Sequence, residues 1–102
     1  MKDLYQQRNS NEWKQVLTLL RQAVMENREE ELLSALLTLD EKNSLGLRVQ
    51  IIRLLLDKDI TQREIQQQLT TSAATITRGS NMLKALDPDI RQWIHRKLNG
   101  EA

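Results

Sequence analysis

The stretch Gln62–Ala85 reads QREIQQQL-TTS-AATITRGSNMLKA, and it decides how the rest of the chain is read. Ile65 and Leu69 recur at helical spacing before the polar triplet Thr70-Thr71-Ser72, and Ile76 and Leu83 do so after it. Thr61-Gln62-Arg63-Glu64 has the capping-box form that opens a helix, and Ser72 can cap a second one. Two short helices joined by about three residues, with interlocking apolar positions, form a helix-turn-helix over about residues 62–85. That arrangement turns Ala73, Ala74, Thr75, Thr77, Arg78, Asn81 and Lys84 outward. Small Ala and Thr side chains let a backbone enter the major groove, while Thr, Asn and Lys can bond base edges or phosphates. Arg63, in the first turn of the preceding helix, can reach a guanine edge or a phosphate. A helical hairpin with a plain polar face is the bland alternative.

Working outward, apolar residues keep helical spacing and nothing alternates with period two. Trp13, Val16, Leu17, Leu20 and Val24 predict a first helix over roughly 11–27. Leu32, Leu33, Leu36 and Leu37 predict a second, after the acidic run Glu29–Glu31. A third opens at Thr38-Leu39-Asp40-Glu41 and runs to about Leu56. It carries two stripes, Leu45, Val49, Ile52 and Leu56 on one side, Leu47, Ile51, Leu54 and Leu55 on the other. A helix apolar on most of its circumference needs cover on most of it, and a second subunit is the natural source. Gly46 inside it costs about 1 kcal/mol relative to Ala, for which close helix packing is the expected reason. The helix from Ala73 extends to about Leu86. Asp87-Pro88 then opens a last helix, striped by Ile90, Trp93, Ile94 and Leu98 and stopped by Gly100. The fold class is all-α, with six helices in a single domain spanning residues 1–102.

Composition narrows the functions. The 102 residues include 15 basic and 14 acidic side chains, for a net charge of +1, so charge alone does not announce a nucleic-acid binder. Its distribution is more telling: residues 61–86 carry Arg63, Arg78 and Lys84 against Glu64 alone. Aromatics are few (Trp13, Trp93 and Tyr5), so the core must be aliphatic. With no cysteine and His95 as the lone histidine, disulfides, thiolate chemistry and two-histidine metal sites are excluded. His95 falls on the polar side of its helix and reads as a surface residue. No phosphate-cradling glycine loop or paired carboxylates carry chemistry, so an enzyme is not expected. No apolar run is long enough to span a membrane and the N-terminus lacks a signal-peptide core, so a cytoplasmic protein is expected.

Thr75-Ile76-Thr77-Arg78-Gly79-Ser80-Asn81, with Gln62-Arg63-Glu64 upstream and Arg91-Gln92-Trp93 downstream, closely resembles the Trp repressor family. Agreement continues through Leu45-Gly46-Leu47-Arg48-Val49, Leu36-Leu37-Thr38 and Asp40-Glu41 to Glu12-Trp13, nearly the whole chain. The resemblance implies an intertwined homodimer that represses transcription from palindromic operators of tryptophan biosynthesis and related genes. L-tryptophan acts as corepressor, with no metal. It further implies that Arg48 and Arg78 sandwich the indole and that Arg78 and Thr38 meet the ligand carboxylate. The backbone around Ala35 and Leu37 would accept from the ammonium, and Gly79 would give the indole room beside the recognition helix. Gln62, Arg63, Gln66, Ala73, Ala74, Thr75, Thr77, Asn81 and Lys84 are the implied DNA contacts, many of them running through water, as in this family's own operator complexes.

Three departures from the family pattern stand out. Met82 occupies a position where the family often has serine, so a hydroxyl contact to the ammonium is lost; the thioether can pack near the ligand or fill core. Thr70-Thr71-Ser72 replaces a more glycine-rich turn. Gln66 stands where a basic residue can occur, implying one fewer phosphate contact. A helix-turn-helix protein answering to another ligand or to none, and a helical dimer that binds only protein, are the remaining alternatives.

Overall fold

A computed structural model of the chain describes the backbone of residues 2–57 and 59–100 and the side chains of 10–57 and 59–100. The side chain of Tyr5 lies outside the described residues. Six α-helices follow one another: α1 Lys2–Met25, α2 Glu29–Leu36, α3 Leu39–Leu55, α4 Gln62–Leu69, α5 Ala73–Lys84 and α6 Pro88–Leu98. The described residues contain no strand. Contacts group the chain into two compact units, residues 1–40 and 41–102.

In the first unit α1 packs on α2. Helix α1 begins nine residues before the expected start at 11, because nothing in that polar stretch breaks a helix: it holds neither Gly nor Pro. The turn that follows places Asn27 at φ 58°, a left-handed conformation that asparagine tolerates. Arg28 then donates its N–H to the Ala23 carbonyl at 2.7 Å and pairs through its side chain with Glu31 at 3.1 Å. Glu29, Glu30 and Glu31 fill the first turn of α2, where the helix dipole favours negative charge.

The second unit holds the densest packing. Leu54, Ile65 and Ile76 form a buried cluster from three helices, with Leu55, Ile60 and Leu69 packed against it. Ile51 and Leu83 are also buried. Of the two stripes on α3, the one through Ile51 and Leu54 turns to this core. Leu45 and Val49, on the other, stay 42% and 43% exposed. Beyond its own turns of helix, Gly46 has no atom of the described residues within 4 Å of where a Cβ would stand, so no other helix among them packs closely enough to explain it. Helix α6 has no fully buried residue, and Trp93 is 49% exposed.

The caps follow the sequence closely at α4 and α5. Thr61 Oγ1 accepts from the Glu64 N–H at 3.2 Å while Glu64 Oε1 accepts from the Thr61 N–H at 3.4 Å, completing the capping box. Thr70 ends α4 at φ 52° and ψ 53°, a left-handed position held by a β-branched residue rather than glycine. Helix α5 stops at Lys84, two residues short of the expected end. At α6, Pro88 occupies the first turn as expected, but the Asp87 side chain makes no capping hydrogen bond. Gly100, at φ 74°, follows the helix in the left-handed conformation that ends it. His95 is exposed and lies 3.0 Å from the Asn99 amide nitrogen through Nε2.

Candidate ligand pocket and nucleic-acid interface

Helix α5 has three faces, set by the spacing of its residues. Ile76 and Leu83 point to the core. Ala73, Ala74, Thr77, Asn81 and Lys84 are exposed and lie on the side away from it. Thr75, Arg78, Gly79 and Met82, spaced i, i+3, i+4 and i+7, form a third face. On α3, Ser44, Leu47, Arg48 and Ile51 repeat that spacing. The two faces meet, with Ile52, around a pocket of about 280 Å³. Ligand pockets commonly measure about 300–1,000 Å³, so this one suits a small molecule.

The lining has a clear chemistry. Leu47, Ile51, Ile52 and Met82 supply apolar surface, Arg48 and Arg78 two cations, Ser44 and Thr75 two hydroxyls, and no carboxylate is among them. Guanidinium groups stack on aromatic faces and fork onto carboxylates, so a flat aromatic acid matches both arginines. Met82 lines the pocket while remaining 56% exposed. It therefore does not fill core.

Gly79 lines the pocket, but its missing Cβ faces α3: a Cβ there would stand 2.8 Å from Ile51 Cγ2. Ile51 stands where that side chain would be, which lets α3 and α5 approach closely beside the pocket. Thr75, expected among the outward residues, is half-buried and lines the pocket. Its Oγ1 lies 2.9 Å from Ser72 Oγ, and its N–H donates to the same Ser72 oxygen at 3.2 Å.

The structure thus brings Arg48, Arg78, Gly79 and Met82 together. Ala35 and Thr38, both exposed, and Leu37, half-buried, belong to the first unit. Leu37 N–H closes the end of α2 on the Leu33 carbonyl at 2.9 Å. On α4, Gln62 and Arg63 are exposed and Gln66 is half-buried; Arg63 and Gln66 share a shallow groove with Gln67. Ser44, Leu47, Ile51 and Ile52 were not foreseen as pocket residues. The i, i+3, i+4, i+7 match between residues 44–51 and 75–82 was the available signal.

Among the described residues no group of three His, Asp or Glu side chains could hold a metal, and no helix is long and apolar enough to cross a membrane. A helix-turn-helix whose second helix shows an exposed face, with a cationic, apolar pocket beside it, defines the class: a DNA-binding domain with room for a small ligand. Residues 11–98 match the model of the family described as Trp repressor protein. The chain is 52% identical over 98 residues to the Trp operon repressor homolog of Actinobacillus succinogenes, covering 96% of this chain and 97% of that one. Similarity to the Trp operon repressor homolog of Haemophilus influenzae is 52% over 96 residues, or 94% and 95% of the two chains. For that of Pasteurella multocida it is 50% over 99 residues, or 97% of each. The chain belongs to the Trp repressor family, whose members regulate transcription and are not enzymes.

Proposed function

We propose that this chain is a transcriptional repressor that binds operator DNA as a homodimer and is activated by L-tryptophan as corepressor. The observation that carries this reading is the placement of pocket and groove-reading surface on opposite sides of α5. A ligand between Arg48 and Arg78 presses on one side of the helix whose other side presents Ala73, Ala74, Thr77, Asn81 and Lys84.

The indole stacks on the guanidinium planes over the apolar lining, and Arg78 takes the carboxylate. The two units act as one functional domain in the cytoplasm. In the dimer, Leu45 and Val49 on α3 and Trp93 on α6 are covered by the second copy. Two recognition helices about 34 Å apart, one turn of DNA, then enter successive major grooves of a palindromic site, the arrangement of helix-turn-helix dimers including this family's own.

Tryptophan acts by favouring the state in which α5 has the tilt and spacing the operator needs. A bias of about 1–3 kcal/mol, roughly 5–150-fold in affinity, suffices, and operator DNA must tighten tryptophan binding by the same factor. Calorimetric titration with L-tryptophan tests the pocket: the wild-type protein binds saturably, and Arg78→Ala loses about tenfold or more, the equivalent of one charge-assisted hydrogen bond. Wild-type affinity in that variant would move the ligand elsewhere.

A further inference from the structure

One residue outside the pocket is wired to it. Ser72, the N-cap of α5, holds the Thr75 N–H at 3.2 Å and the Thr75 hydroxyl at 2.9 Å through the same oxygen. Thr75 in turn lines the pocket. Between the two bonded residues lie Ala73 and Ala74, the exposed first turn of α5 where the groove-facing surface begins. A cap of this kind decides whether the first helical turn is formed or frayed. Any molecule resting on Thr75 therefore presses on the same node that orders the Ala73–Ala74 backbone.

We infer that Ser72 is a positioning residue that pre-orders the DNA-facing first turn of α5 through Thr75, and so sets how much operator affinity the ligand adds. This inference rests on the tryptophan reading of the pocket. Two states of the turn, ordered and frayed, are enough to describe it. DNA engages the ordered turn, and a ligand contacting Thr75 favours it. With the Ser72 cap intact, the ordered state already dominates before ligand binds, so part of the ordering cost is met in advance. The turn preceding the cap shares in this. Thr70 is fixed in a left-handed conformation, and the Thr71 N–H donates to the Gln66 carbonyl at 3.2 Å, tying Ser72 back to α4.

The test compares Ser72→Ala and Ser72→Thr with the wild-type protein, measuring operator affinity with and without saturating L-tryptophan. In Ser72→Ala the ligand-free affinity falls further than the ligand-bound one. The enhancement by tryptophan thus rises by up to about fivefold, the size of a lost cap. Ser72→Thr, which keeps the hydroxyl, restores the wild-type ratio. Amide exchange supplies a second readout: the Thr75 N–H of Ser72→Ala exchanges faster than wild type without ligand and slows when tryptophan is added. Equal loss of affinity in both ligand states, with exchange at Thr75 indifferent to tryptophan, would reduce Ser72 to a plain cap and overturn the inference. A smaller enhancement in Ser72→Ala would overturn it too. Failure of the underlying reading is seen separately, as a wild-type protein whose operator affinity ignores tryptophan.

Discussion

Gly79→Ala tests the close approach of α5 to α3. The added Cβ would stand 2.8 Å from Ile51 Cγ2 and 3.7 Å from Leu55 Cδ1. Carbon atoms rest at about 3.5–4.0 Å, so the first contact is short by about 1 Å and the second is ordinary. Ile51 is 1% exposed and cannot swing into solvent, so either α3 and α5 part or Ile51 leaves its rotamer. Overpacking of this kind costs about 1–3 kcal/mol, and alanine returns about 1 kcal/mol of helix propensity. The net expectation is a loss of up to about 2 kcal/mol in urea denaturation at matched protein concentration. Tryptophan binding should fall with it, because Ile51 lines the pocket. Ile51→Leu removes the offending Cγ2 methyl while keeping the volume. The double variant should therefore recover about 1–2 kcal/mol relative to the sum of the single changes. If Gly79→Ala proved about 1 kcal/mol more stable than wild type, or the two changes added without coupling, the close contact would not be what glycine is for at this position.

Thr70→Gly should raise stability by up to about 1 kcal/mol, since a left-handed β-branched residue costs about 1–2 kcal/mol and glycine returns part of that in unfolded-state entropy; denaturation midpoints measure it. Lys84→Ala should weaken binding to all DNA sequences alike and lower the salt slope by about one, as titrations over a range of ionic strength would show. Val49→Asp places a charge on the exposed α3 stripe and should shift the protein toward monomer in sedimentation equilibrium, with little change expected if that stripe faces solvent.

Much of this was legible from the residues. Interlocking apolar positions and two caps located α4 and α5 to the residue at their starts, because capping chemistry is local: Thr61 and Ser72 act within three residues. Ile65, Ile76 and Leu83 were identified as inward and are buried. The beginning of α1 was missed because only its apolar part carries periodicity, whereas a polar stretch without breakers can also be helical. That Thr75 also lines a pocket is not written in the sequence, because a threonine at a helix start suits either a groove or a pocket and only the direction of α3 shows the second. At Gly79 the sequence cannot show which neighbour approaches the missing side chain, and it is Ile51 that does so. Residues of α3 such as Ser44 and Leu47 are ordinary until a second helix with matching spacing is laid against them.

In the function proposed, occupancy of the pocket between α3 and α5 governs how α5 meets DNA. The affinity of the purified protein for a palindromic operator of the tryptophan genes, titrated without and with saturating L-tryptophan, probes this without intermediaries. Adding the amino acid should raise that affinity roughly 5–150-fold. Equal affinity of the free and loaded forms would rule out control of α5 by the pocket.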